Sequence, residues 1–231
     1  MAYQKEITPV AQSAASERIS FYKKTYTHVA LGVLVFMAFE AVLLRIDPLV
    51  DVMLSLQGYS WLFLLGGFMA VTWVAQNMAY RNSSKSMQYG GFILYIFAEA
   101  IIFVPLLYFA MSYGGGPQMI AQAAVITSGM FLGLTAAVMM TKTDFSILKT
   151  GLTVGFFIAI GLIIAGVIFG FNLGLWFSVG MVLLASGSIL YSTHQIKNDF
   201  SSEQYVPAAL SLFASLMLLF WYVLQILMSR R

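Results

Sequence analysis

The sequence predicts an all-α polytopic membrane protein, a seven-transmembrane-helix bundle with the last helix central. Three observations carry this. Of 231 residues, 60% are hydrophobic and only 9% are charged, where a soluble domain carries about 25% charged residues; the mean hydropathy is +0.86. Seven apolar stretches each approach or exceed the roughly 20 residues that cross a bilayer. The last stretch, residues 206–228, contains no formal charge, and it sorts Ser211, Ser215, Tyr222 and Gln225, with Ser229 beyond, into roughly 80° of the helix circumference at about 100° per residue. A helix surrounded by lipid has no reason to gather its hydroxyls and amide on one stripe, because hydrocarbon offers them no partner; a helix packed among others does.

Taken in order, residues 1–24 read as a polar cytoplasmic tail, mobile to about Ser16 and then an amphipathic lead-in carrying Ile19, Phe21 and Tyr22 along the membrane surface. Residues 25–231 form one seven-helix transmembrane domain. Its spans are about 25–44, 60–79, 90–111, 118–141, 148–170, 173–196 and 206–228. Asp47-Pro48, Gly114-Gly115-Gly116-Pro117 and Gly170-Phe171-Asn172 are turn formers; residues 80–89 and 197–204 are polar loops. Such short connections make successive spans antiparallel neighbours. The fourth to sixth spans carry Gly129 with Gly133, Gly151 with Gly155, and Gly161, Gly166, Gly180, Ala185 and Gly187, spacing that lets helix backbones approach closely. Trp61, Trp176, Tyr80, Tyr89, Tyr108 and Tyr113 fall near span ends and fit interfacial belts.

The net charge of +3 does not signal nucleic acid, because the basic residues lie between apolar spans, where they set orientation. With the N-terminus cytoplasmic, that side holds Lys5, Arg18, Lys23, Lys24, Arg81, Lys85, Lys142, Lys149 and Lys197, and the other holds Arg45, Arg230 and Arg231. Nine against three favours this topology, although the terminal arginine pair argues mildly the other way. No cysteine is present, which excludes disulfides and thiolate chemistry. There is no phosphate-cradling glycine loop, no HExxH and no GxSxG, so no enzyme is expected. Two histidines in different spans with scattered acids make no metal cluster, and no cofactor is implied.

Ionisable groups within lipid are costly and mark functional candidates. Four lie in the spans: His28, Glu40, Glu99 and His194. Glu99 is mid-span, with Tyr95 one turn earlier on the same face. Desolvation penalises its charged form, and it reads either as a functional acid or as a protonated carboxyl bonded to a neighbouring hydroxyl. Glu40 is five residues from Arg45 and within reach of snorkelling to the interface. His28 and His194 lie near cytoplasmic span ends, where a histidine titrates near neutral pH or simply satisfies an interface.

Three stretches carry a family resemblance. Phe21-Tyr22-Lys23-Lys24-Thr25-Tyr26-Thr27-His28 opens the first span. Phe131-Leu132-Gly133-Leu134-Thr135 leads to the loop Thr141-Lys142-Thr143-Asp144-Phe145-Ser146. Leu190-Tyr191-Ser192-Thr193-His194-Gln195-Ile196 precedes Tyr205-Val206-Pro207-Ala208-Ala209-Leu210-Ser211. Together they resemble the Bax inhibitor family, the transmembrane Bax inhibitor motif proteins, in its YccA-like bacterial branch. The resemblance implies a central last helix wrapped by two three-helix layers. It also implies a pH-sensitive calcium leak in some members, and restraint of cell death or regulation of a membrane-bound protease in others. Leak-type members carry aspartates where this chain has Ser192 and Ser215, and its second span lacks an arginine that would pair with the first of them. Two serines cannot share a proton as a coupled acid pair does, and they serve Ca²⁺ poorly, since it prefers several oxygens including carboxylates. Lys142 and Asp144 match the family loop and read as anchors of the fifth span.

Two functional expectations follow. One is a passive calcium or proton leak, with Glu99 as gating acid, Ser192, Ser211, Ser215 and His194 along the path, and Glu40 and His28 as secondary groups. The other is a non-conducting regulator or scaffold of another membrane protein, such as a protease. A small-molecule transporter fits less well, because no span is broken mid-way by paired Gly and Pro. The expected location is a bacterial inner membrane.

Overall fold

A helix that keeps every backbone hydrogen bond within itself is one of the two ways a chain crosses hydrocarbon, and this chain adopts it throughout. The computed structural model describes residues 9–56, 58–81, 84–112 and 115–229. Among them are no strands and eight α-helices: α1 (Ala15–Leu43), α2 (Asp47–Ser55), α3 (Tyr59–Arg81), α4 (Lys85–Ser112), α5 (Pro117–Met140), α6 (Leu148–Phe169), α7 (Gly174–Asn198) and α8 (Tyr205–Ser229). All but α2 are long and apolar enough to span. Lys5, Tyr113, Gly114, Arg230 and Arg231, used above for orientation, belts and turns, lie outside the described residues.

The span boundaries differ most at the beginning. The chain forms a 3-10 turn at Val10–Gln12 and enters α1 at Ala15, where the polar composition predicts a mobile tail to Ser16. The reason is tertiary. Val10 is fully buried, and its N–H donates to Phe200 O at 2.7 Å, which ties the segment to the α7–α8 connection. Phe21 is likewise a core residue rather than part of a surface lead-in. Asp47-Pro48, read as a turn, starts the short helix α2, with proline in its first turn where the missing N–H costs nothing. Gly170 ends α6 in the left-handed region, at φ 69°, a conformation glycine adopts without a Cβ clash.

Helix α8 packs against α1, α3, α4, α5 and α7, so the last helix is central, as its polar stripe predicts. It shares the centre with α4. Of an apolar stretch of 18 consecutive residues in each helix, 67% are buried in α4 and 50% in α8, against 11% in α6. Their contact is aromatic: Phe213 meets Phe92 and Tyr95 edge-on, and Phe103 stacks on Phe220 and takes Trp221 edge-on at 4.8 Å. Outward faces carry bare Phe63, Phe157 and Trp176, as lipid contact requires.

Close backbone approach occurs elsewhere than the glycine spacing suggests. Around Gly129, Gly133, Gly151, Gly161 and Gly180 there is open space, while Gly155 and Gly187 face leucines across the α6–α7 contact. The tight crossing is α3 on α4. A Cβ on Gly91 would lie 2.5 Å from Ala75 O and 2.9 Å from Ala79 N. Backbone on one helix cannot yield as a side chain can, so Gly91→Ala is expected to destabilise the bundle by about 1–3 kcal/mol, the usual cost of overpacking. The same change at open Gly133 should be neutral. Thermal unfolding of the two variants in one detergent checks this.

Candidate functional site

The stripe on α8 meets a matching row on α7. Ser188 Oγ lies 2.8 Å from Ser215 Oγ, Ser192 Oγ lies 3.5 Å from the same atom, and Ser178 donates to Gln225 Oε1 at 3.2 Å. Ser215 also donates to Ser211 O, one turn back. Ser192 and Ser215 therefore do meet, as the resemblance implies, and Ser188 joins them. Ser211 bonds to Ala208 O in its own helix. Ser178 and Ser188 were legible only as helix residues; their partners on α8 single them out.

Beside the far half of this seam lies a cavity of about 650 Å³. Its rim is formed by Gly58 and by Gly170–Gly174, the connections at one end of the bundle. Its walls come from α3, α4, α6, α7 and α8. Glu99, 7% exposed, contributes the one carboxyl among the described residues; Ser178, Gln225, Tyr222 and Asn172 contribute neutral polar atoms, and the remaining lining is aliphatic, glycine and aromatic. Trp61, expected in an interfacial belt, is part of this wall. The Tyr95 hydroxyl is within hydrogen-bonding reach of the Glu99 carboxyl. Beyond Tyr95, the Phe92, Tyr95 and Phe213 rings close the bundle towards its other end. The serines belong to that closed half: Ser215 is seven residues before Tyr222, about 10 Å along α8, and neither Ser192, Ser211 nor Ser215 lines the cavity. The candidate path is thus two separate polar regions, not one continuous row.

Glu40 does not reach an interface. It is 5% exposed, neither carboxyl oxygen has a hydrogen-bond partner, and Arg45 is exposed. Phe36 and Phe39, on its own helix, pack edge-on against Phe103 and Phe97 of α4, which leaves this stretch of α1 pressed to the core and the carboxyl no route outward.

His28 and His194 occupy two further clusters at the end opposite the cavity rim. His28 Nδ1 lies 2.7 Å from Lys24 O, so it carries the proton and donates, and Nε2 lies 2.9 Å from the Tyr89 hydroxyl. The Tyr205 ring lies tilted against the same imidazole, 5.2 Å between centres, with Lys85 Nζ 4.1 Å from the Tyr205 ring centre. Lys85 also bonds Glu203 O. His194 Nε2 is 3.2 Å from Asp144 Oδ1. Asp144 accepts the Ser146 N–H at 2.8 Å, and this bond, with the Ser146 hydroxyl and His194, holds its carboxyl below the usual range. A carboxyl lowered in this way contributes stability above its unfolded pKa and loses it as pH falls through the folded one, so Asp144 stays ionised across neutral pH. The α5–α6 connection is thereby anchored to α7, as the loop motif suggests, but the larger anchor is Lys197. Its ammonium donates to the carbonyls of Val138, Met139 and Thr141 at 3.0, 3.3 and 2.6 Å, and so caps the exposed C-terminal carbonyls of α5. Lys197→Met is expected to lower stability by about 1–3 kcal/mol, since half-buried carbonyls lose a charged donor; differential scanning fluorimetry in detergent measures it.

A buried cluster that the sequence reading passed over gathers Tyr26, Thr135 and Thr193 from α1, α5 and α7. Their hydroxyls approach without an aligned bond. All three lie in the motif stretches quoted above, which is the signal that could have found them. Among the described residues, no three His, Asp or Glu side chains converge.

Seven apolar helices, the last of them packed at the centre with polar groups turned inward, define an integral α-helical membrane protein. The chain belongs to the Bax inhibitor family: the family described as "Inhibitor of apoptosis-promoting Bax1" matches residues 18–231. It is similar to Protein lifeguard 4 of Mus musculus, 27% identical over 224 residues, 94% of this chain and 88% of that one. Bax inhibitor 1 of Schizosaccharomyces pombe is 27% identical over 228 residues, 96% and 81% of the two chains. An uncharacterized protein of Pseudomonas aeruginosa is 35% identical over 123 residues, 53% of this chain; the match spans 55% of that protein's own length.

Proposed function

We propose that the protein is a passive leak for protons or small cations, with Glu99 as the acid that admits or refuses the ion. The supporting observation is the cavity: it reaches from the Gly170–Gly174 connection to a buried carboxylate near the middle of α4, while the Phe92–Tyr95–Phe213 layer shuts the other half. This is the form of a one-sided access path interrupted by a gate. Beyond the gate, the Ser188–Ser192–Ser215 group and His194 continue towards the other end. A cavity with one carboxylate suits a proton or monovalent ion better than Ca²⁺, which takes six to eight oxygens. By the lysine and arginine count the rim faces away from the cytoplasm, in a bacterial inner membrane. Purified protein in proteoliposomes tests the reading. Proton, potassium or calcium flux above that of empty vesicles between about pH 5 and 8 is expected, and its absence for all three ions would refute the leak.

A second reading has its own observation. Ser188 with Ser215 and Ser178 with Gln225 satisfy one another, so the seam also works as helix–helix glue in a non-conducting regulator of another membrane protein, such as a protease.

A further inference from the structure

The composition of the cavity wall points to a ligand class larger than an inorganic ion. Here the polar groups are Glu99, Asn172, Ser178, Tyr222 and Gln225, and rings from four helices stand among them: Trp61 and Phe68 from α3, Phe103 from α4, Phe177 from α7, Trp221 and Tyr222 from α8. Several rings are braced. Phe103 holds Trp221 edge-on at 4.8 Å, and Phe177 holds Tyr222 edge-on at 5.9 Å. Among the described residues, no lysine, arginine or histidine lines the space, and Glu99 is the one carboxyl. Its volume of about 650 Å³ lies within the roughly 300–1,000 Å³ of small-molecule sites.

We propose that this cavity binds a hydrophobic organic cation, a protonated amine or quaternary onium with an aromatic or aliphatic body, its charge against Glu99 and its body among the rings. Ring faces attract cations through their quadrupole, best where water is excluded, and the carboxylate supplies the countercharge that an aromatic cage alone lacks. A size-matched anion meets the same rings with Glu99 against it. Such a cation reaches the site from the rim or from the bilayer, in which lipophilic cations concentrate. Bound there, it occupies the space an inorganic ion would have to cross. The inference rests on the same cavity as the leak reading and deepens it, but its measurement is of binding and needs no conduction.

The test uses tetraphenylphosphonium as probe and tetraphenylborate, nearly identical in shape and opposite in charge, as control. Equilibrium binding to the full chain in detergent is followed by quenching of tryptophan fluorescence and by equilibrium dialysis. Saturable phosphonium binding is expected, weakened about tenfold or more by Glu99→Gln, with no saturable borate binding. Leu65→Trp, which fills the cavity from α3 and leaves the carboxyl in place, should weaken it similarly. Each variant is compared at matched gel-filtration profile, so a misfolded Gln variant leaves the Leu65 result to decide. Equal binding of the two ions, or phosphonium binding unchanged in a folded variant of either kind, overturns the proposal. Binding without flux in liposomes upholds the ligand site and defeats the leak; flux without binding does the reverse.

Discussion

Glu99→Gln is expected to cut ion flux in proteoliposomes by about tenfold to a hundredfold, the effect of removing roughly 1.4–2.8 kcal/mol of stabilisation from the ion at its narrowest approach. Glutamine has nearly the shape of glutamate and still meets the Tyr95 hydroxyl, so the wall of the cavity is preserved. What it loses is the capacity to release a proton or to balance a cation. A buried amide costs less than a buried carboxylate, and the variant should therefore be as stable as the parent or more so, which separates loss of function from loss of fold. Glu99→Asp keeps the charge but withdraws it by one methylene, and should conduct at an intermediate rate. Any pH dependence supplied by this carboxyl must vanish in the glutamine variant. Flux equal to the parent's would show that ions bypass α4, and the leak reading would have to be abandoned together with the role given to the cavity.

Much of this architecture is legible in the sequence because hydrocarbon removes alternatives. A continuous apolar run of 23 residues is the length of a spanning helix and about twice that of a spanning strand, and a one-sided polar stripe then tells which helix is surrounded. Ser215 and Gln225 face α7 for that reason. What stays hidden is which helix shares the centre, because α4 is apolar on nearly every face and carries no stripe to reveal its burial. Its one mark is Glu99, which was found. The cavity has no local signature, since its lining is assembled from α3, α4, α6, α7 and α8 and from two connections far apart in the chain. Likewise Val10, in a polar stretch, is held by one backbone bond to Phe200, and a contact between residues so distant has no local signature. The glycines mislead in the opposite direction: spacing of four identifies positions able to pack closely, while Gly91, with no such partner, is pressed to the backbone of a neighbouring helix.

Glu40→Met is expected to raise stability, by about 1–3 kcal/mol, the usual penalty of a buried polar group without a partner. Both carboxyl oxygens are shielded and unbonded, and methionine fills a comparable volume with an adaptable apolar chain. Glu40→Gln should gain less, because its amide would be equally orphaned. Thermal unfolding in a single detergent distinguishes the two; a methionine variant less stable than the parent would mean that Glu40 has a partner, such as bound water, that offsets its burial. The flux assay gives the same variant a second meaning. Glu40 lies on α1, while the cavity is bounded by α3, α4, α6, α7 and α8, so if the cavity is the only access path, conduction survives the substitution. If flux falls while stability rises, α1 carries a second acid on the ion's route, and the cost of leaving a carboxyl unpaired in the core has a functional cause rather than a structural one.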